Sequence, residues 1–265
     1  MKKNFLKKSC CFAAVLAMLT FTACGGSTND TSASNDNAGN AAVESTEAAQ
    51  NEETAEKEEV SVVSKETQYD LESGEVTAIV EYEYDEAGNR TQTTKKDVAG
   101  TVIEITKMEC NAEGRVEKAV TTDTEGNVKS TVEYTFPDDK HETATNYDAE
   151  GNVLYTNSFE FDEQGNAKKV EVSIGDMLST TDYENTYEGD KLVKATMSSN
   201  GEAAGYTDYE YDENDALVKQ TNYASDGSVW SLIEYTNDEN GNCVSSKTYS
   251  GEKLSNEKEY IVITK

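Results

Sequence analysis

The chain has 265 residues, with 23 Lys+Arg against 52 Asp+Glu and a net charge of −29. That balance excludes nucleic acid as a partner and disfavours adhesion to anionic lipid, because phosphate-rich surfaces are held by basic patches. A single histidine and five cysteines leave little material for a histidine-based triad or metal centre. No cofactor and no metal are expected.

The N-terminus carries Lys2, Lys3, Lys7 and Lys8, then an apolar stretch from Phe12 to Phe21 broken only by Thr20. The stretch is too short for a hydrocarbon core of roughly 30 Å, which takes about 20 apolar residues. A basic start, a short apolar run and small residues at its end predict an export signal over residues 1–23. The run ends Phe21-Thr22-Ala23-Cys24-Gly25-Gly26, which resembles the lipobox of bacterial lipoproteins, with Phe21 where leucine is usual. The resemblance implies cleavage before Cys24 and acylation of its thiol. The chain would then be held on the extracytoplasmic face of a cell membrane, or on the outer membrane of a Gram-negative cell. An ordinary secretory signal with Cys24 incidental is the other reading. Cleavage removes four lysines and no acid, which takes the exported chain from −29 to −33.

Residues 24–59 are predicted to be a lipidated cysteine followed by a disordered acidic tether. The segment is mostly Gly, Ser, Thr, Asn, Ala, Glu and Gln, with no aromatic residue and almost no large aliphatic. It cannot bury enough apolar area to offset the entropy of ordering it. At about 35 residues its r.m.s. reach is on the order of 30 to 35 Å.

The body, residues 60–265, is repetitive. Gly74, Gly100, Gly126, Gly151, Gly175, Gly201, Gly227 and Gly251 recur every 24 to 26 residues. Between them fall Gly88, Gly114, Gly165, Gly189 and Gly241, with Lys140 and Asp215 in the same slot. Val76, Val102, Val128, Val153, Met177, Ala203 and Val229 stand two residues after the first series. Tyr82, Met108, Tyr134, Phe159, Tyr183, Tyr209 and Tyr235 stand eight after it. Val128 to Phe136 alternates apolar and polar, as a half-buried strand does. The second segment of each unit is less marked: Arg90 to Lys96 is polar throughout, whereas Leu192-Val193 and Leu217-Val218 are apolar. Clusters such as Asp85-Glu86-Ala87-Gly88-Asn89 are turns, in which Gly supplies positive φ and Asp caps through its side chain. Pro137 is placed at a turn. The fold expected is all-β: an antiparallel meander of about seven two-strand repeats, about 15 strands, forming a curled or folded-over sheet with its aromatic column inward.

Tyr82-x-Tyr84-Asp85-x-x-Gly88-Asn89-Arg90 resembles the YD repeat of Rhs-type bacterial surface and toxin proteins. Phe159-x-Phe161-Asp162-x-x-Gly165-Asn166, Tyr209-x-Tyr211-Asp212 and Tyr147-Asp148-x-x-Gly151-Asn152 are similar. The resemblance covers about residues 66 to 265. It implies hairpins joined edge to edge into a long curling sheet. The repeats here are expected to be too few for the hollow shell such repeats can form around a toxin, and no self-cleaving core or appended toxin domain is expected.

Residues that could carry chemistry have simpler readings. His141 follows Asp138-Asp139-Lys140 and reads as a solvated turn residue. Asn237-Asp238-Glu239-Asn240-Gly241-Asn242 suggests calcium, yet the acidic turns lack the alternating oxygen ligands and closing Glu of a calcium loop. Glu81 and Glu83, a carboxylate pair, fall on the outer face of a strand. Cys110 takes the place of an aromatic in an inward column, and a simple curling sheet keeps it distant from Cys243. The expectation for function is a non-enzymatic binding or adhesion-type surface module with a protein or glycan ligand. The alternative is a scaffold or accessory subunit shielding a partner protein.

Overall fold

A computed structural model describes residues 59–264. The expected export signal, Cys24 and all but the last residue of the expected tether lie outside the described residues. The strands are β1 (Glu59–Tyr69), β2 (Val76–Tyr84), β3 (Arg90–Lys96), β4 (Val102–Cys110), β5 (Val116–Thr122), β6 (Val128–Asp138), β7 (His141–Tyr147) and β8 (Val153–Phe161). They continue as β9 (Ala167–Ile174), β10 (Met177–Glu188), β11 (Lys191–Ser199), β12 (Glu202–Tyr211), β13 (Leu217–Ala224), β14 (Val229–Asn237), β15 (Cys243–Ser250) and β16 (Lys253–Thr264). Each pairs antiparallel with the next, and β1 pairs with β16, so the meander closes into a 16-strand barrel.

The hairpins follow from their Asp-x-x-Gly-x sequences. In the turn after β2, Asp85 Oδ1 accepts from the amides of Ala87 at 3.0 Å and Asn89 at 2.8 Å. The Gly88 amide donates to the Asp85 carbonyl at 3.0 Å. Gly88 has φ +77°, a left-handed conformation that a side chain would strain. The same bonds recur at Asp123, Asp148, Asp162, Asp212 and Asp238. The ladder register slips at these turns, for example between Glu83 and Tyr84 and between Thr121 and Thr122. These are glycine bulges, which raise the local right-handed twist and bend the strand.

Closure corrects the expected curled or folded-over sheet of about 15 strands. The strand not foreseen is β1. It precedes the first repeat glycine, and its Glu59–Tyr69 sequence borders the tether composition. It supplies the missing half of the partial eighth unit, pairing with β16 from Glu59↔Thr264 to Gln68↔Asn256. Lys65–Glu259 at 2.8 Å and Lys258–Glu66 at 3.5 Å bridge the seam. Pro137, expected at a turn, lies inside β6, where the ladder to β7 is interrupted between Thr135 and Asp138.

The column at the eighth position faces inward. Tyr183 and Tyr209 are buried, and Tyr209 packs with Leu192, Ala195 and Leu217. Tyr82, Tyr134, Phe159 and Tyr235 are half-buried. Their residual exposure reflects a ring of this many strands, which is too wide for one layer of side chains to fill. The column at the second position behaves differently. Val128, Val153, Met177 and Val229 are 41%, 59%, 69% and 47% exposed. Val128, Val153 and Val229 sit at the rim beside turns whose register slips carry them away from the core, whereas Met177 ends an unslipped ladder opposite Ile174.

The outward positions are charged. Lys96–Glu81 at 2.6 Å, Lys118–Glu133 at 3.1 Å, Lys194–Asp208 at 3.3 Å, Lys219–Glu210 at 2.8 Å and Lys247–Glu257 at 2.9 Å are spread around the wall. Truncation should separate the two faces. Tyr209→Ala is expected to lower unfolding free energy by about 3 to 5 kcal/mol, as for other buried aromatics. Glu133→Ala, breaking an exposed ion pair, should change it by no more than about 1 kcal/mol. Urea unfolding monitored by circular dichroism measures both, and equal effects would contradict the inward column.

Candidate functional site in the barrel lumen

Strands β1 to β7 enclose a cavity of about 280 Å³ on the concave side of the wall. Period-two alternation places Glu66 and Gln68 of β1, Tyr82 of β2, Lys95 of β3, Glu104 and Met108 of β4, and Asn146 of β7 around it, and the bulge opposite Glu83 and Tyr84 turns Arg90 of β3 onto the same face. The sequence does not mark these residues as a group, because they come from five strands spread over about a third of the chain.

The acids of this cavity have protein partners. Glu66, only 4% exposed, accepts from Gln68 Nε2 at 2.9 Å and from Tyr82 Oη at 3.2 Å, and meets Lys258 Nζ at 3.5 Å. Glu104 pairs with Lys129. Amides of the inner wall are less well provided. Asn157 on β8 is fully enclosed, and neither its Nδ2 nor its Oδ1 has a hydrogen-bond partner. The buried Nδ2 of Asn146 also has none. An enclosed polar group left without a partner costs about 1 to 3 kcal/mol, so such positions are made good by water or by a ligand.

Burial sets the titration of the inner face. It raises the phenol of Tyr183 to about 12 and those of Tyr82 and Tyr134 further. It also lifts the carboxyl of Glu142, against the opposing pull of Arg115. Glu142 stands opposite Phe159 of the aromatic column.

The residues singled out from sequence lie elsewhere. His141 is exposed and its Nδ1 meets Asp138 Oδ1 at 2.8 Å. In the suspected calcium loop, Asp238 Oδ1 accepts from the amides of Asn240 and Asn242, both at 2.9 Å. That bonding follows from turn geometry alone. Glu81 pairs with Lys96, and Glu83 accepts from Gln92 Nε2 at 2.7 Å; both lie on the outer wall. Cys110 is half-buried and Cys243 is buried. Arg90, Asn146 and Asn157 were missed. Only Arg90 left a trace, as a cation directly after a Gly-Asn turn.

No protein-family model matches the sequence, and no curated protein matches it. Among solved structures, the chain is similar to a porin-like protein from Bacteroides uniformis ATCC 8492, with 15% identity over 77% of this chain and 98% of that one, at a TM-score of 0.46. A porin-like protein from Bacteroides vulgatus ATCC 8482 is similar at 12% identity, over 75% and 97%, with a TM-score of 0.40. TcdB2-TccC3-TEV matches at 11% identity over 73% of this chain and 15% of that one, with a TM-score of 0.18.

Closure into a 16-strand barrel overturns the expected adhesion-type repeat module, and it does not favour the scaffold alternative either. Closure pairs both sheet edges and turns the eighth-position aromatic column inward, away from any surface on which a protein or glycan could lie.

Glu142 yields a pH signature. Its folded pKa is raised, so the folded state holds the proton more tightly than the unfolded chain does. Stability from this group is therefore full at acid pH and declines as pH rises through the ordinary glutamate range towards the raised value. Glu142→Gln removes that decline. Between pH 4 and pH 8 the melting temperature of wild type should fall relative to the variant, and parallel curves would exclude the buried-carboxyl account.

Proposed function

We propose that the chain is an exported, lipid-tethered barrel that holds a small polar solute in its lumen. The observation that carries this reading is the enclosed amide of Asn157, without a partner at either end, on the same inner wall as a cavity bordered by Asn146. Such a wall is built for hydrogen bonds that the protein itself does not complete.

The outer wall supports a barrel standing in water. A lipid-spanning barrel presents an apolar band about 25 Å tall, and each Lys or Arg at its midplane costs about 2 to 4 kcal/mol. Here that face carries Lys–Glu and Lys–Asp pairs around the ring. Membrane attachment then falls to the acylated Cys24, read from the lipobox-like run, with residues 24–59 as tether. The hairpins are read as YD-like units, seven whole and one shared between β16 and β1. The role is non-catalytic: the turn aspartates serve backbone amides, and His141 is engaged with Asp138.

Two measurements test the reading. In an exporting bacterial host, labelled palmitate should enter wild type and not Cys24→Ala; label on the variant would remove the anchor. In melts against small amides, carboxylates and polyols, at least one solute should raise the melting temperature of wild type. Ala119→Trp, which places bulk in the cavity, should abolish the shift. A wild type indifferent to the whole panel would refute the container.

A further inference from the structure

We propose that the lumen selects a small carboxylate and that Arg90 is the group that holds it. This rests on the lumenal reading above and names its ligand class. Arg90 begins β3 directly after the Gly88-Asn89 turn and is 7% exposed. Its Nε is shut from solvent with no hydrogen-bond partner. Its guanidinium lies 5.8 Å from the centre of the Tyr82 ring, and it forms no ion pair among the described residues. A buried guanidinium without a counter-anion is strongly penalised, because desolvation is not repaid by Coulomb attraction.

The cavity offers no acid to spare. Glu66 is held by Tyr82, Gln68 and Lys258, and Glu104 by Lys129. Lys95, five residues along the same strand, also lines the cavity and makes no ion pair among the described residues. With Glu66 and Glu104 engaged by Lys258 and Lys129, Arg90 and Lys95 are the cavity-lining cations left without an ion pair among the described residues. The planar fork of Arg90 matches a carboxylate with two parallel hydrogen bonds. The apolar residues beside it, Tyr82, Met108, Val116 and Tyr134, suit a singly charged group on an apolar body. A doubly charged phosphate would have more solvation to lose there. The Asn146 amide supplies a further donor on the same wall.

Calorimetry on the full chain with benzoate, its neutral isostere benzamide, and inorganic phosphate tests this. Benzoate should bind, with benzamide and phosphate at least about tenfold weaker. Arg90→Gln should weaken benzoate by about tenfold or more, and Arg90→Lys, which keeps the charge but loses the fork, should weaken it less. Lys96→Gln, on the outer wall, should leave binding unchanged. If Arg90→Gln does not fold, the Arg90→Lys result decides: unchanged affinity there overturns the assignment. Benzamide binding as well as benzoate, or phosphate binding better, overturns the carboxylate while leaving a lumenal solute in place. If no probe binds a wild type that melts cooperatively, the container reading falls with it.

Discussion

Everything in this fold depends on the left-handed glycine at the end of each Asp-x-x-Gly turn. Gly88, Gly100, Gly126, Gly151 and Gly165 all have φ between +77° and +89°. Each inserts a bulge where one strand hands over to the next, and each bulge adds twist of the same hand. One bulge bends a hairpin slightly. A bulge at nearly every turn, at both rims, coils the sheet until its first and last strands meet. Asp215 shows that the conformation matters more than the residue: it takes the glycine slot at φ +66°, and its amide donates to the Asp212 carbonyl at 3.1 Å. Gly205 meets a different need. A Cβ there would stand 2.1 Å from the Tyr223 carbonyl oxygen, so only glycine lets β12 and β13 approach at that point.

Closure gives the two faces separate environments. Each strand alternates, and so divides its residues between an outer wall in water and an inner wall in a confined space. Charge goes outside, in cross-strand pairs that cost little when solvated. The eighth-position aromatics and several amides go inside, while Tyr206 and Tyr223 stack on the outer wall beside Lys194. The division is uneven around the ring. From β10 to β14 the inner wall packs Leu192, Ala195, Tyr209 and Leu217 against Tyr187, Tyr211 and Tyr235. Along β1 to β7 it remains polar and leaves a cavity. A repeat with one backbone plan therefore yields a filled half and a hollow half, decided by which side chains occupy the same inward slots.

The turns and strands were legible because their causes are local. An Asp three residues before a Gly sets a hairpin whatever surrounds it, and Val128 to Phe136 shows its alternation within nine residues. The polar segment Arg90 to Lys96 was placed correctly as a strand because the turns on either side leave it no other course. Closure was not legible. It needs β1 to find β16 across contacts such as Lys65–Glu259, 194 residues apart, and β1 carries no repeat glycine of its own. The rim valines were misleading for a related reason: periodicity reports alternation but not the bulge that rotates Val153 and Val229 outward. The cavity residues were least visible of all. Arg90 gains its meaning from burial beside Tyr82 and from the prior engagement of Glu66 and Glu104, and none of these is a property of its own sequence window.

The unpaired cations of the cavity lining, Arg90 and Lys95, sit inside a protein whose net charge is −29, and the two act over different distances. Beyond about 8 Å at physiological ionic strength, surface charges are largely screened, so an approaching carboxylate meets the acidic rims as a modest barrier to entry. Inside the wall, water is scarce and screening is weak, so the unpaired guanidinium of Arg90 acts at close range with little attenuation. A shell of this kind slows anions at the door and holds those that pass. It also keeps like barrels apart, since neighbouring copies repel through their outer walls while closure leaves neither of them a free strand edge. The closed wall thereby reserves Arg90, the buried cation without an ion pair among the described residues that line the cavity, for a guest small enough to enter.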